Sequence, residues 1–168
     1  MAIGDQFSDG SPVDIWAYGR CERLINPSAV PFEVQVPGDP VDYNCTAFGC
    51  TVISDRMARV VEGIAPLGVQ FIPATLEAPG KWEVLNILDC LDCIDRERSL
   101  IQYFPEDHPE KAGRPRGVAK LIIDPDAIGD HHMFRLRDWM VVEIVSEAMK
   151  GELERNGIGG MEYWPVTP

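Results

Sequence analysis

Two cysteines three residues apart, set among carboxylates, are the first residues of this sequence whose types and spacing could support chemistry. The stretch DCLDCIDRERS covers residues 89–99 and contains Cys90 and Cys93, and the adjacent pair His131 and His132 follows later in the chain. Zinc sites use cysteine and histidine ligands, and Cys-x2-Cys is one of their spacings. A dithiol at this spacing is also typical of redox enzymes. A zinc-dependent or redox enzyme is therefore one hypothesis for this chain.

The residues that precede the cysteines predict where their side chains point. Apolar residues occupy both faces of an extended pattern over residues 81–93, which is typical of a central strand covered on both sides. Side chains three apart on a strand point to opposite faces, so Cys90 and Cys93 diverge, as do adjacent histidines in a strand. The nearby Asp89 and Asp92 also disfavour a reactive thiolate. The pattern therefore favours buried, unreactive cysteines.

The carboxylates of the same stretch lack the partners that a hydrolase needs. Neither a phosphate-binding loop nor a nucleophile elbow stands near Asp89, Asp92, Asp95 or Glu97. The sequence GIGG at residues 157–160 lacks the strand, glycine loop and helix order of a phosphate cradle, so we interpret it as a helix stop. We predict no catalytic residue, no metal ligand and no cofactor.

The composition is that of one globular domain with an unusually acidic charge. The chain has 168 residues, 45% of them hydrophobic, and a net charge of −12. This charge argues against binding of nucleic acid or of an anionic membrane. It either attracts a basic partner or simply keeps the protein soluble. Five cysteines, a polar start and no apolar run of about 20 residues lead us to expect a cytoplasmic protein with reduced thiols.

The patterns along the chain predict an α+β fold in a single domain, with a mainly antiparallel sheet and a few helices packed on it. Turn formers lead us to expect an irregular segment over residues 1–31 and an α+β domain over residues 32–168. Helices are predicted after the N-caps Ser54 and Ser146, and a helical turn after Asp124. The polar stretch 105–117 is predicted to be a functional or disordered loop. Strands are predicted at Phe32–Val36 and over residues 69–74, 81–93, 118–123, 131–136, 139–145 and 160–165.

Two of these segments resemble each other. Residues 52–73 align without gaps on residues 144–165, with Ser54 matching Ser146 and Gly68 matching Gly160. Each segment is a capped helix that leads through a glycine into an aromatic strand ending at proline. Duplication and chance similarity of two capped helix–strand units both remain open.

The ordered set of segments resembles the immunity protein 11 family of bacterial polymorphic toxin systems. The resemblance covers residue 32 to the C-terminus and is carried by VLNILDCLDCIDRERS (84–99), IGDHHMFRL (128–136) and a capped helix closing on GMEYWPV (160–166), with residues 52–73 upstream. It implies a small α+β protein, without enzymatic activity, that binds the C-terminal domain of a cognate toxin and blocks it. The family pattern includes the segment matching residues 92–95 but not Cys90, which weakens the two-cysteine metal hypothesis.

Toxins paired with this family include HNH-type nucleases, and a basic nuclease suits the acidic charge of this chain. The alternative function is the zinc-dependent or redox enzyme using the Cys90/Cys93 and His131/His132 cluster; a third is an interaction module unrelated to toxins. Neither the toxin's identity nor the oligomeric state follows from the sequence.

Acids in polar stretches are the candidate contacts with the partner, although each also fits plain solvated surface. Two tryptophans are candidate aromatic anchors, although both also fit the core. The acids are Asp95, Glu97, Glu106, Asp107, Glu110, Asp126 and Asp130, and the tryptophans are Trp139 and Trp164.

Overall fold

The computed structural model describes residues 1–35, 38–46 and 49–167. In this part of the chain it contains eleven strands and two helices. The helices are α1 (Asp55–Ile64) and α2 (Glu147–Arg155). The strands are β1 (Ala2–Ile3), β2 (Val30–Glu33), β3 (Tyr43–Cys45), β4 (Thr51–Ser54), β5 (Val69–Thr75), β6 (Trp82–Ile87), β7 (Cys90–Leu91), β8 (Leu100–Tyr103), β9 (Pro115–Lys120), β10 (Met133–Leu136) and β11 (Trp139–Val145).

The strands form three sheets that are mostly antiparallel. A six-stranded sheet has the order β1-β2-β5-β6-β4-β3, a three-stranded sheet has the order β11-β10-β7, and β8 and β9 form a two-stranded hairpin. The pairs β2–β5 and β7–β10 are parallel. The predicted α+β class with a mainly antiparallel sheet is confirmed.

Three clusters of buried side chains form the core. The first core lies between the two helices and one face of the six-stranded sheet, and the second lies between the other face and the N-terminal segment. The third core joins the three-stranded sheet to the hairpin. Their principal members are Met57, Val61, Leu85, Ile87, Met149 and Leu153 in the first, Val13, Tyr18, Val30, Val52 and Val84 in the second, and Cys93, Ile94, Ile123, Phe134, Leu136 and Ile144 in the third.

The central strand is confirmed over β6, but its predicted extension to residue 93 is wrong. Val84, Leu85 and Ile87 are fully buried because the first and second cores cover opposite faces of β6. At Leu88 the backbone N–H instead donates to the Gly68 carbonyl at 2.8 Å, and β7 then pairs with β10 of the three-stranded sheet. Apolar residues continue on both faces across this break, so the sequence pattern could not show the change of sheet.

Both helices begin where their N-caps predict. The Ser54 hydroxyl accepts a hydrogen bond from the Met57 N–H at 3.2 Å, and the Ser146 hydroxyl accepts one from the Met149 N–H at 3.1 Å. Each cap satisfies a backbone donor that the first helical turn leaves without a partner. The helical turn after Asp124 is also confirmed at residues 125–127. No helix of the described ranges is long and apolar enough to cross a membrane.

Several predicted strands shift or disappear. The strand predicted at Phe32–Val36 is β2 at Val30–Glu33, and Val36 lies outside the described residues. The strand predicted over residues 160–165 is wrong, since 161–167 form no strand. Gly160 passes so close to β3 that an added Cβ would lie 2.5 Å from the Tyr43 carbonyl oxygen. The two segments aligned in the sequence therefore share the capped helix but not the strand.

The N-terminal segment is packed onto the sheet. It contributes β1 and a 3-10 turn at Ala17–Gly19, and it buries Val13 and Tyr18 in the second core. The Gln70 side-chain amide accepts from the Leu24 N–H at 3.0 Å and donates to its carbonyl at 2.8 Å. The domain boundary at residue 31 stays a prediction.

A buried ion pair connects the three-stranded sheet to the six-stranded sheet. Arg135 on β10 is 1% exposed, and its Nη2 lies 2.7 Å from Glu143 Oε1 on β11. The same nitrogen donates to the Gly49 carbonyl at 2.9 Å. The Thr51 hydroxyl donates to Glu143 Oε1 at 2.7 Å, and the Tyr43 hydroxyl donates to Oε2 at 3.0 Å. One carboxylate therefore takes hydrogen bonds from three strands, β3, β4 and β10.

Replacing Arg135 with alanine should lower the free energy of unfolding by about 3–5 kcal/mol, because it leaves the Glu143 carboxylate buried without its cation. Urea unfolding measures the change. The matched control is Arg59→Ala, which removes an exposed pair with Asp55 (side chains 69% and 37% exposed) and should cost below about 1 kcal/mol. Equal effects of the two substitutions would contradict a connecting role for the buried pair.

Candidate functional site

The two adjacent histidines contact different elements of the fold. His131 Nδ1 lies 2.6 Å from the Asp89 carboxylate, which sits between β6 and β7. His132 Nδ1 lies 2.8 Å from the hydroxyl of Ser146, the N-cap of α2. Each ring is thus engaged by a separate structural partner, and the two do not converge on one point.

The cysteines are also separated. Cys93 is 2% exposed in the third core, and burial followed by the charges of Asp92 and Asp124 raises the pKa of its thiol to about 11. Burial, followed by the charge of the neighbouring Cys90, raises the pKa of the Cys21 thiol to about 12. A nucleophilic or redox-active thiol needs a lowered pKa instead. Over residues 1–35, 38–46 and 49–167, no group of three or more His, Cys, Asp or Glu side chains is placed to hold a metal ion.

The acids predicted to contact a partner all lie in the loops that connect β7, β8, β9 and β10. Six of them are exposed and have no ion pair within the described ranges; Asp95 is the exception. The loop from β7 to β8 carries Asp95 and Glu97, the loop from β8 to β9 carries Glu106, Asp107 and Glu110, and the loop from β9 to β10 carries Asp126 and Asp130.

Asp95 has a structural role. Its Oδ1 accepts hydrogen bonds from the Glu97 N–H at 3.1 Å and the Arg98 N–H at 2.9 Å, and its Oδ2 lies 3.8 Å from Arg98 Nη1. These contacts close the turn that leads from β7 to β8. Asp95 thereby positions its exposed neighbour Glu97.

Backbone hydrogen bonds bring two of the acidic loops side by side. The Asp95 N–H donates to the Ile122 carbonyl at 2.9 Å, and the Asp124 N–H donates to the Cys93 carbonyl at 2.8 Å. Exposed acids from both loops therefore flank one end of the hairpin. We call Glu97, Asp124 and Asp126 the base patch. Sequence reasoning missed Asp124 because it assigned that residue only as an N-cap.

The remaining acids lie at the opposite end of the hairpin. Four-residue β8 separates the two ends by about 13 Å. We call Glu106, Asp107 and Glu110 the tip patch. Asp130 is exposed three residues beyond the helical turn, and we include it in neither patch.

The loop at the tip is folded around one aromatic ring. Lys111 Nζ and Arg116 Cζ lie 5.4 and 5.9 Å from the centroid of the Phe104 ring, and the His108 ring meets its edge at 4.8 Å. His108 Nδ1 accepts from the backbone N–H groups of Glu110 and Lys111. The stretch 105–117 is therefore an ordered tip that continues into β9.

Exposed apolar side chains occur in several places on the surface, and strands β8 and β11 are among them. Leu100 and Tyr103 on β8 are 62% and 42% exposed, and Val141 on β11 is 66% exposed. Sequence reasoning missed them because apolar residues in strands predict burial. Of the two candidate anchors, Trp164 is exposed, whereas Trp139 is half-buried against the third core.

A comparison with known protein families identifies the family of the chain. A family model described as the Immunity protein family (Imm11) matches residues 6–167 of the chain. The chain belongs to the Imm11 family. The match begins well before residue 32, where the resemblance in the sequence became clear, and so includes most of the N-terminal segment. No curated protein matches the chain. Membership in Imm11 supports an immunity function, a toxin as the partner, and an inhibitor rather than a catalyst.

Iodoacetamide at pH 8 should alkylate the exposed Cys45 well before Cys93 in the folded Imm11 protein. Cys93 is buried, and with a pKa of about 11 only about one thousandth of its thiol is ionised at that pH. Mass spectrometry of peptides over time measures both rates, and the urea-unfolded chain, in which both react, is the control. Alkylation of folded Cys93 as fast as Cys45 would revive the redox hypothesis.

Proposed function

We propose that this Imm11 protein binds and neutralises the C-terminal domain of a cognate toxin, and that the toxin is a basic nuclease of HNH type. The observation that carries the proposal is membership in Imm11, and the exposed carboxylates without ion pairs in the loops between β7 and β10 support it. A nuclease presents cationic side chains to the phosphate backbone of its substrate. Acidic loops are the complementary surface for such a domain.

The charge of the whole protein supports rapid capture. With a net charge of −12, the immunity protein attracts a basic domain over distances beyond direct contact. Such steering raises association rates and weakens as salt screens the charges. Fast association is useful here because a free toxin acts on the cell that makes it. We accordingly propose that the complex forms in the cytoplasm of that cell.

Two exposed apolar residues on β8 support the β8–β9 hairpin as part of the binding surface. Stable interfaces bury about 1,200–2,000 Å² in total and combine an apolar centre with a polar rim. Leu100 and Tyr103 lie exposed on β8, and the base and tip patches lie at the two ends of that strand. The hairpin and its flanking loops therefore offer both the apolar centre and the polar rim that a toxin interface needs.

Used as bait in lysate of its source cells, the tagged protein should capture a polypeptide with a basic C-terminal toxin domain. The captured amount should fall as salt rises from about 50 mM to about 300 mM, because screening weakens pairing between acidic and basic surfaces. Mass spectrometry identifies the captured chain, and a tagged unrelated protein of similar charge is the control. An empty pull-down from a lysate shown to contain the toxin would overturn the proposal.

Charge reversal locates the contact surface. Glu97→Lys with Asp126→Lys should weaken binding of the captured domain by at least about tenfold, since it replaces two favourable contacts with repulsion. The matched control is Glu62→Lys with Glu154→Lys, which makes the same change in net charge on the exposed surfaces of α1 and α2. Equal weakening by both pairs would mean that net charge alone governs binding.

A further inference from the structure

The β8–β9 hairpin has one edge that is protected against further strand pairing. Pro115 in β9 lacks a backbone N–H, and Arg116 and Lys120 place exposed charges on that strand. The register also slips twice along the ladder, and each slip leaves an extra residue on β9. Proline, charged side chains and bulges are the devices that natural sheets use to block an edge.

The other edge of the hairpin carries none of these devices. β8 has the sequence LIQY, with neither proline nor charge, and no extra residue interrupts it. In the described part of the chain β8 pairs with β9 alone. Leu100 is 62% exposed and Tyr103 is 42% exposed. An unprotected edge of this kind is a template for the addition of a strand from another chain.

The charges around the hairpin indicate which chain it accepts. Exposed acids precede and follow β8, namely Glu97 in the base patch and Glu106 and Asp107 in the tip patch, whereas Arg116 and Lys120 lie on β9. Two arginines also precede β8, but Arg96 is paired with Asp92 and Asp138, and Arg98 with Asp95. A basic segment is therefore attracted to the β8 edge and repelled from the β9 edge. A second copy of this chain brings a further charge of −12 and is repelled.

We infer that the outer edge of β8 takes up an extended segment of the toxin as a third strand of the hairpin. The segment carries lysine or arginine near both ends, opposite Glu97 and Glu106, and apolar side chains between them, against Leu100 and Tyr103. Main-chain hydrogen bonds supply affinity in this binding mode, and side chains supply specificity. The inference rests on the proposed function and names how the partner docks.

The first test blocks the edge. The probe is the basic domain identified by the pull-down, produced as an inactivated domain. Leu100→Lys with Tyr103→Lys should weaken its binding at least about tenfold, because lysine blocks strand addition and repels a basic partner. The matched control is Met140→Lys with Val141→Lys, which changes two exposed apolar residues on β11 and should alter binding less than about threefold. Urea unfolding verifies that both variants remain folded.

The second test detects the new hydrogen bonds in the unmodified protein. Amide hydrogen exchange of the outward-facing N–H groups of residues 100–103 should slow at least about tenfold when the toxin domain binds, while residues 140 and 141 stay unchanged. Toxin binding without slower exchange in β8, or without loss in the β8 variant, overturns the strand-addition inference and leaves the proposed function standing. Failure of the unmodified protein to bind any toxin overturns both. A dimer that disappears in the β8 variant would show that the edge belongs to a second copy.

Discussion

The buried pair of Arg135 and Glu143 is the interaction on which the two halves of this protein depend. Glu143 accepts hydrogen bonds from Thr51 and Tyr43 of the six-stranded sheet while it faces Arg135 of the three-stranded sheet. A buried charge is stable only when it is paired and hydrogen-bonded, so this geometry permits little sliding of one sheet against the other. The three-stranded sheet is thereby fixed, and with it the acidic loops that flank β7 and β10.

Buried contacts close the base of the hairpin, and Ile101 on β8 packs against the third core. The Ser99 hydroxyl accepts from the Ile122 N–H at 2.9 Å and donates to the Ile122 carbonyl at 3.0 Å, in a site that is 7% exposed. Together with the turn that Asp95 closes, this contact sets the direction in which β8 leaves the core. A protein whose task is affinity benefits from such an arrangement, because ordering loops during binding costs free energy. The acids of the base patch are therefore held in place before the toxin binds.

The sequence predicted the parts of this fold that depend on local residues. Ser54 and Ser146 cap helices because the cap and the helix are adjacent in the chain, and β6 was recognisable because both its faces are apolar. The break at Leu88 was not predictable, since it depends on the distant pairing of β7 with β10. For the same reason the sequence could list exposed acids but could not show that Leu100 and Tyr103 are exposed on an open edge. The Imm11 match confirmed the family that the ordered set of segments resembles, and it supports a toxin partner, which no single local pattern carries.

The central claim is that binding by this protein silences a toxin. The most direct measurement titrates the DNA cleavage rate, which is the activity that we propose for the captured toxin domain, with the immunity protein at toxin concentrations well above the dissociation constant. We predict a linear fall in rate that reaches zero at a fixed molar ratio. Full cleavage activity in a complex shown to be saturated would contradict it, because the protein would then bind the toxin without neutralising it.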